Sequence, residues 1–362
     1  MDTKSHIDKN ILSPRSMDPD DLWGHMNSFT YKGTLTLKNL DNGQPCESWD
    51  ALYHTGHYLC IAAMRLKRTR DKTIITHINK SLDVILTHGI NFRGFNSQGE
   101  YWKDYLLEKY YPQWGDKMVF RDTSRDQILG LNMGLYFLYD CLKYESPEYE
   151  AILDKVNKIA KLARNTLKQN NYDLGTTYGD CQTYRLPFSL LYNMLLDEKF
   201  REKLHHSQKS KWYFRIYSLL QPILWSIPRI HRNQYFSLEL SLQTLFLIAN
   251  CFNKGNDGTY KQKIRKNAVK GMKRLVKFCK DDDNLYFEAL YQYTTGENLY
   301  DRNYLVDLEQ IFSEFFRNEV KTQDFIWQRH PKFRYKPREE WKNFYAPYHD
   351  YLIIYEMNQL MN

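Results

Sequence analysis

Helical periodicity recurs along nearly the whole of this chain and leaves room for little else. Apolar residues return at three- and four-residue spacing over 48–67, 74–89, 124–143, 148–169, 182–198, 209–224, 236–253, 260–280, 284–294, 303–318 and 344–361. That spacing puts them on one face of an α-helix. The clearest case follows Phe120-Arg121-Asp122-Thr123-Ser124-Arg125-Asp126-Gln127. Ser124 and Gln127 have the spacing of a capping box, which predicts a helix start. Beyond it, Ile128, Leu131, Leu135 and Leu138 form a stripe, and Gly130 and Gly134 allow a neighbouring backbone close. Asp126 suits the positive end of the helix dipole. The dipole does not account for Arg121, Asp122 and Arg125 crowding the same turn, so this turn reads as the rim of a pocket.

The connections are uneven. Short ones join 67 to 74 and 143 to 148, whereas 90–123, 170–182, 225–236 and 319–344 are longer and rich in aromatic residues. Helical hairpins stacked side by side give that alternation, with tight turns at one end and elaborated loops at the other. No strict repeat of about 20–50 residues is present, which disfavours the regular solenoids. Before the helices, residues 1 to 30 read as an arm, and Thr30–Lys38 (TYKGTLTLK) alternates as one strand of a small hairpin ending at Asp41-Asn42-Gly43. The expected organisation is therefore a region 1–45, arm plus short β-hairpin, and one helical domain over 46–362. The expected class is all-α. Six hairpins closed in a ring need twelve helices, close to the eleven segments above, which points to an (α/α)6 toroid.

Composition then removes several functions. Mean hydropathy is -0.67, and no run approaches the roughly 18–20 apolar residues that span a bilayer. The polar N-terminal stretch shows no secretory signal. The six cysteines are scattered with no CxxC pair, and Cys60, Cys141, Cys251 and Cys279 fall among apolar residues as buried thiols do. A reducing, cytoplasmic setting is the expectation. The net charge of +8 raises nucleic-acid binding, but the basic residues are mostly interleaved with acids. Even KQKIRKNAVKGMKRLVKFCK at 261–280 reads as a solvated helix face, so nucleic acid is not the expected partner. There is no P-loop, GxGxxG or GxSxG motif. Asp281-Asp282-Asp283-Asn284 reads as a charged turn, because the second acidic motif of a terpene synthase is missing. The 29 Tyr, 19 Phe and 8 Trp pair apolar faces with polar handles, which suits sugar binding as well as core packing.

Polar clusters stand repeatedly at helix starts. Asp50, His54 and His57 share a face at spacings of four and three. Without a third, separated ligand this pair of histidines reads as pocket lining, and no metal or cofactor is expected. In Tyr178-Gly179-Asp180-Cys181-Gln182-Thr183-Tyr184-Arg185, Asp180 is placed as an N-cap. Arg185 there has the geometry to grip a carboxylate bidentately. His231-Arg232-Asn233-Gln234-Tyr235, Trp327-Gln328-Arg329-His330 and Tyr345-Ala346-Pro347-Tyr348-His349-Asp350-Tyr351 repeat the theme.

The order of these features resembles the six-hairpin, (α/α)6-toroid carbohydrate-active enzymes. This group includes glycoside hydrolases, unsaturated glucuronyl hydrolases, sugar epimerases and the helical domains of polysaccharide lyases. The resemblance is carried by CESWDALYHTGHYL (46–59), DTSRDQILGLNMGLYFLYD (122–140), HRNQYFSLELSLQTLFLIAN (231–250) and DFIWQRHP with APYHDYLIIYEM (324–357). It is architectural and covers most of the chain, and it matches no single family's signature residue by residue. It implies a central sugar cleft lined from the loop-rich ends of inner helices, and an oligosaccharide as partner. The expected function is a glycoside hydrolase acting on an acidic oligosaccharide, with two carboxyls flanking the scissile bond. Asp50, Asp122 and Asp126 are the acid and base candidates, and His54, His349 and Asp350 assist. Trp49, Tyr178, Trp327 and Tyr348 are stacking platforms, and Arg121, Arg125, Gln127, Asp180, Arg185 and Arg329 are polar contacts. The alternatives are a lyase or epimerase using His, Tyr and Arg, or a non-catalytic toroid that binds glycan or protein.

Overall fold

The fold is given by a computed structural model. It describes residues 18–31, 33–35, 38–39, 51–90, 124–172, 181–197, 220, 222–224, 226–227, 235–251, 259–280, 285–303, 306–308, 310, 344–345 and 349–362. Among the described residues it is all-α, with ten α-helices and four two-residue strands.

The chain enters through α1 (Pro19–Asn27), which sequence reading had placed in an arm. Its start was legible: the Asp18 side chain accepts from the Asp20 amide, and Pro19 takes the first helical position, where no amide is needed. Leu22, Trp23 and Met26 are buried, and Trp23 stacks on Tyr58 at 5.6 Å. Strand β1 (Thr30–Tyr31) then pairs antiparallel with β2 (Thr34–Leu35), Thr30 opposite Leu35. The alternating stretch therefore folds back on itself at Gly33 instead of forming one strand. Gly33 has φ +84°, and a Cβ there would stand 2.7 Å from the Lys80 carbonyl oxygen, so only glycine fits. Strand β3 (Lys38–Asn39) pairs with β4 (Phe344–Tyr345). That pairing occupies the residues expected to open the last helix, which begins instead at His349. The expected turn at Asp41-Asn42-Gly43 lies outside the described residues.

The helices that follow are α2 (Ala51–Thr69), α3 (Thr73–His88), α4 (Arg125–Leu142), α5 (Glu150–Gln169), α6 (Arg185–Leu195), α7 (Tyr235–Asn250), α8 (Thr259–Phe278), α9 (Leu285–Thr295) and α10 (His349–Met361). Two kinds can be told apart by what they bury. In α7 every residue from Leu238 to Ala249 is buried, and in α4 every residue from Gln127 to Leu138. A helix buried all round lies inside a layered core. By contrast α5 buries only a stripe, Ile152, Val156, Ile159, Ala160, Ala163 and Leu167. Likewise α8 buries Ile264, Ala268, Met272, Leu275 and Val276 while exposing Lys263, Lys266, Lys270 and Lys277. The basic run is thus a solvated face, as its spacing predicts.

The buried helices run in one direction. Along α2 and α10, His54 meets His349 and, further on, Arg65 and Arg68 meet Glu356. Along α7 and α9, Gln243 meets Tyr286 and then Asn250 meets Thr294. Along α4 and α6, Arg125 lies over Tyr184 and Tyr192 bonds Asn132. In α2 and α7, Tyr53 pairs with Glu239 and His57 with Gln243. Pairings that rise together on both partners mean parallel helices. Of these six, α2 packs on α4, α4 on α6, α6 on α7, α7 on α9, α9 on α10, and α10 again on α2, while α4 also packs on α7 across the middle. Helix α3 packs on α2 and α5, α5 on α4 and α6, and α8 on α7 and α9.

The tightest of these contacts is between α2 and α4. A Cβ on Gly56 would overlap the Gly130 carbonyl, and one on Gly134 would stand 2.7 Å from the Gly56 carbonyl oxygen. Gly130 and Gly134 do admit a neighbouring backbone, as their spacing predicts, and the neighbour is itself a glycine. At the far end of α2, the buried Glu356 carboxylate accepts from Arg65 Nη1, Arg68 Nε and Arg68 Nη2, each at 2.9 Å, and Arg65 also pairs with Asp20. Two outcomes are expected. Gly56→Ala should lower unfolding free energy by about 3 kcal/mol, since overpacking here can be relieved only by moving backbone. Glu356→Gln should cost about 1–3 kcal/mol, since Arg68 loses its carboxylate while Arg65 keeps Asp20. Urea denaturation of each variant measures both.

Candidate functional site

Parallel helices deliver their first turns to one end, and there the polar residues of four helices meet. Tyr53, His54 and His57 come from α2, Glu239 and Gln243 from α7, Tyr286 from α9 and His349 from α10. All are buried except His54, which is half-buried. Buried polar groups of this number are costly unless bonded, and here they bond to one another. The Tyr53 hydroxyl donates to Glu239 Oε1. Gln243 Nε2 lies 2.8 Å from Glu239 Oε1, 3.1 Å from the Tyr53 hydroxyl, 3.1 Å from the Tyr286 hydroxyl and 3.0 Å from His57 Nε2. An amide nitrogen carries two protons, so Gln243 donates to at most two of these four neighbours at once. Glu239 and Gln243, four residues apart on one face of α7, make the joint between α2 and α9.

The electrostatics follow from burial. Desolvation, with the Glu239 carboxylate beside them, pushes the Tyr53 and Tyr286 hydroxyls well above the usual phenol range. Both stay protonated; the Tyr53 hydroxyl donates to Glu239 and the Tyr286 hydroxyl accepts from Gln243. Desolvation lowers His54 to about 4 and, with His54 adjacent, His57 to about 3. His349 is driven well below its ordinary value by burial and by the other two rings. All three imidazoles are therefore neutral at neutral pH and keep a lone pair available.

Those three rings form a group of their own. His54 Nδ1 stands 3.3 Å from His349 Nε2, with the rings nearly perpendicular at 79°. One nitrogen from each of His54, His57 and His349 lies within 4.8 Å of the others, a set that could hold a metal ion. The separated third histidine that the sequence spacing lacks is thus supplied by α10.

Of the residues expected from sequence, His54 and His349 sit in this cluster. Arg125, Asp126 and Gln127 open α4. Ser124 Oγ accepts from the Gln127 amide at 3.4 Å, and the Gln127 side chain is buried. Arg125 Nε lies 3.5 Å from Asp126 Oδ1 and the guanidinium reaches over Tyr184 at 6.0 Å. Asp126 is thus held beside an arginine of its own turn. Arg185 lies over Tyr172 at 5.2 Å. Asp350 is in the first turn of α10. Trp49, Asp50, Arg121, Asp122, Tyr178, Asp180, Trp327, Arg329 and Tyr348 lie outside the described residues. Sequence reading missed Tyr53, Glu239, Gln243 and Tyr286. A signal existed for two of them: Glu239 and Gln243 are the long polar side chains, at i, i+4, in a helix otherwise of apolar and hydroxyl residues up to Ala249. A groove of about 490 Å³ lined by Thr30, Tyr58, His77, Lys80 and Asp83 contains none of the cluster.

Comparison with protein-family models, with curated proteins and with solved structures finds no match.

One further carboxyl near this end titrates abnormally. Glu288 on α9 is buried, which raises it to about 7 despite Arg302 Nε at 3.2 Å, with Asp307 adding to the rise. The folded state then holds a proton that the unfolded chain releases near 4.5. Stability is fullest below pH 4.5 and falls as pH rises to 7, by at most about 3 kcal/mol. Glu288→Gln should remove that slope, which denaturant unfolding at a series of pH values will record.

Proposed function

We propose that the chain is an (α/α)6-toroid enzyme that processes an acidic carbohydrate by acid–base chemistry. Support for the toroid is the circuit of parallel helices, α2, α4, α6, α7, α9, α10 and α2 again, backed by α3, α5 and α8. Support for a site at their N-terminal ends is that Tyr53, His54, Tyr286 and His349 stand in the first turns of α2, α9 and α10, with Glu239 near the start of α7. The single observation that carries the chemistry is the Tyr53 hydroxyl held against Glu239 and Gln243, with His57 on the same amide.

This set suits proton transfer at the carbon beside a uronate carboxylate. In an elimination, a base removes the C5 proton, the C4–oxygen bond breaks, and the electron pair of C5–H becomes the C4–C5 double bond. The departing oxygen takes a proton from a positioned acid. In this reading a neutral His57 takes the C5 proton and Tyr53, hydrogen-bonded to Glu239, gives its proton to the departing oxygen. Arg125 and Arg185, on the first turns of α4 and α6, offer charge for the substrate carboxylate. An aspartate-pair hydrolase is the second reading; in it Asp126, beside Arg125 at 3.5 Å, is the one described carboxyl of the expected pair.

The test is incubation with a panel of uronate-containing oligosaccharides. Ultraviolet absorbance from the new conjugated double bond supports elimination, and solvent deuterium in recovered sugar supports epimerisation. Reducing ends without absorbance would return the reaction to hydrolysis, and no change in any acidic glycan would overturn the enzyme reading. Tyr53→Phe should lower kcat by about 10²–10⁴-fold with little change in KM, the usual share of a proton-transfer group.

A further inference from the structure

The three histidines come from two helices, and His349 is 295 residues from His54 in sequence. His54 and His57 share a face of α2 because residues three apart on a helix are neighbours. His349 reaches them because α10 packs parallel on α2 and both helices begin at the same end.

The distances fit a particular ligand. Imidazole nitrogens bind zinc at about 2.0–2.1 Å, and at tetrahedral angles two such donors stand about 3.3 Å apart. His54 Nδ1 and His349 Nε2 are 3.3 Å apart. The His57 nitrogen, within 4.8 Å of both, needs to approach by no more than about 1.5 Å to complete the face of a tetrahedron. A small ring rotation supplies that. A hydrogen bond between His54 and His349 would explain their separation, but not why a third imidazole converges on them. Half-burial of His54 leaves a way in from solvent, and the surrounding protein excludes competing water from the other two rings.

We propose that His54, His57 and His349 bind one divalent transition-metal ion of zinc's class, its fourth position filled by none of the described residues. Three nitrogen donors exclude the oxygen-seeking cations magnesium and calcium as the intended ligand. Three protein ligands are the number that a catalytic zinc takes, whereas a structural zinc takes four. The proposal rests on the histidine geometry and is independent of the sugar reading: metal can bind whether or not any glycan is turned over.

The experiment uses the full chain without a polyhistidine tag, stripped with chelator and dialysed. Calorimetric titration with zinc should give one ion per chain. Cobalt(II) in its place should show the intense visible bands of a four- or five-coordinate ion. His54→Gln and His349→Gln should each weaken zinc by more than the about 10–100-fold that an outer partner carries, while His77→Gln leaves affinity unchanged. Circular dichroism checks that each variant folds. If a variant does not fold, imidazole NMR of the unaltered protein decides: three ring signals shifting with one equivalent of zinc support the site. No stoichiometric binding, weak binding at many places, or binding indifferent to these histidines overturns it.

Discussion

The contact of Gly56 with Gly130 and Gly134 sets the spacing on which the rest of the interior depends. Where side chains usually separate two helices, here backbone touches backbone. Helix α4 is thereby pressed so far against α2 that Tyr53 packs over Gly130, its Cα 2.6 Å from where a Cβ on Gly130 would stand. That packing restricts the Tyr53 ring and aims its hydroxyl across at Glu239 of α7. A larger residue at any of the three positions would move α2 outward and pull Tyr53, His54 and His57 from their partners. The glycines thus act on the site without contributing any polar atom to it.

The interior is chemically lopsided for the same reason. Parallel helices put all their first turns at one end and all their last turns at the other. At the first-turn end, neutral polar groups gather: tyrosines, uncharged imidazoles and an amide around the carboxylate of Glu239. At the last-turn end, Glu356 is matched by Arg65 and Arg68, so charge is paired as it must be when buried. The second arrangement fixes the helices, with both oxygens of Glu356 held by arginine. The first has more acceptors around Gln243 than that nitrogen has protons, which leaves a network able to rearrange. A network of that kind is suited to moving a proton or accepting a ligand.

The sequence by itself determined nine of the ten described helices, because a periodic apolar stripe declares a helix whatever it packs against; the segments expected over 209–224 and 303–318 lie largely outside the described residues. It also determined the cap at Ser124 and the solvated face of α8, and it marked Gly130 and Gly134 as places of close approach. Local chemistry was missed where the pattern was short: α1 after Asp18-Pro19, and the reversal at Gly33. What only the tertiary structure decided is which polar residues meet. Asp50, His54 and His57 share a face in sequence, but nothing local says that His349 will face them from another helix. Nor does the pair Glu239 and Gln243 reveal that Tyr53 and Tyr286 will close on it. Helix formation is set by residues three and four apart, whereas a site is set by the register between helices, and register is fixed by packing contacts that join residues hundreds of positions apart.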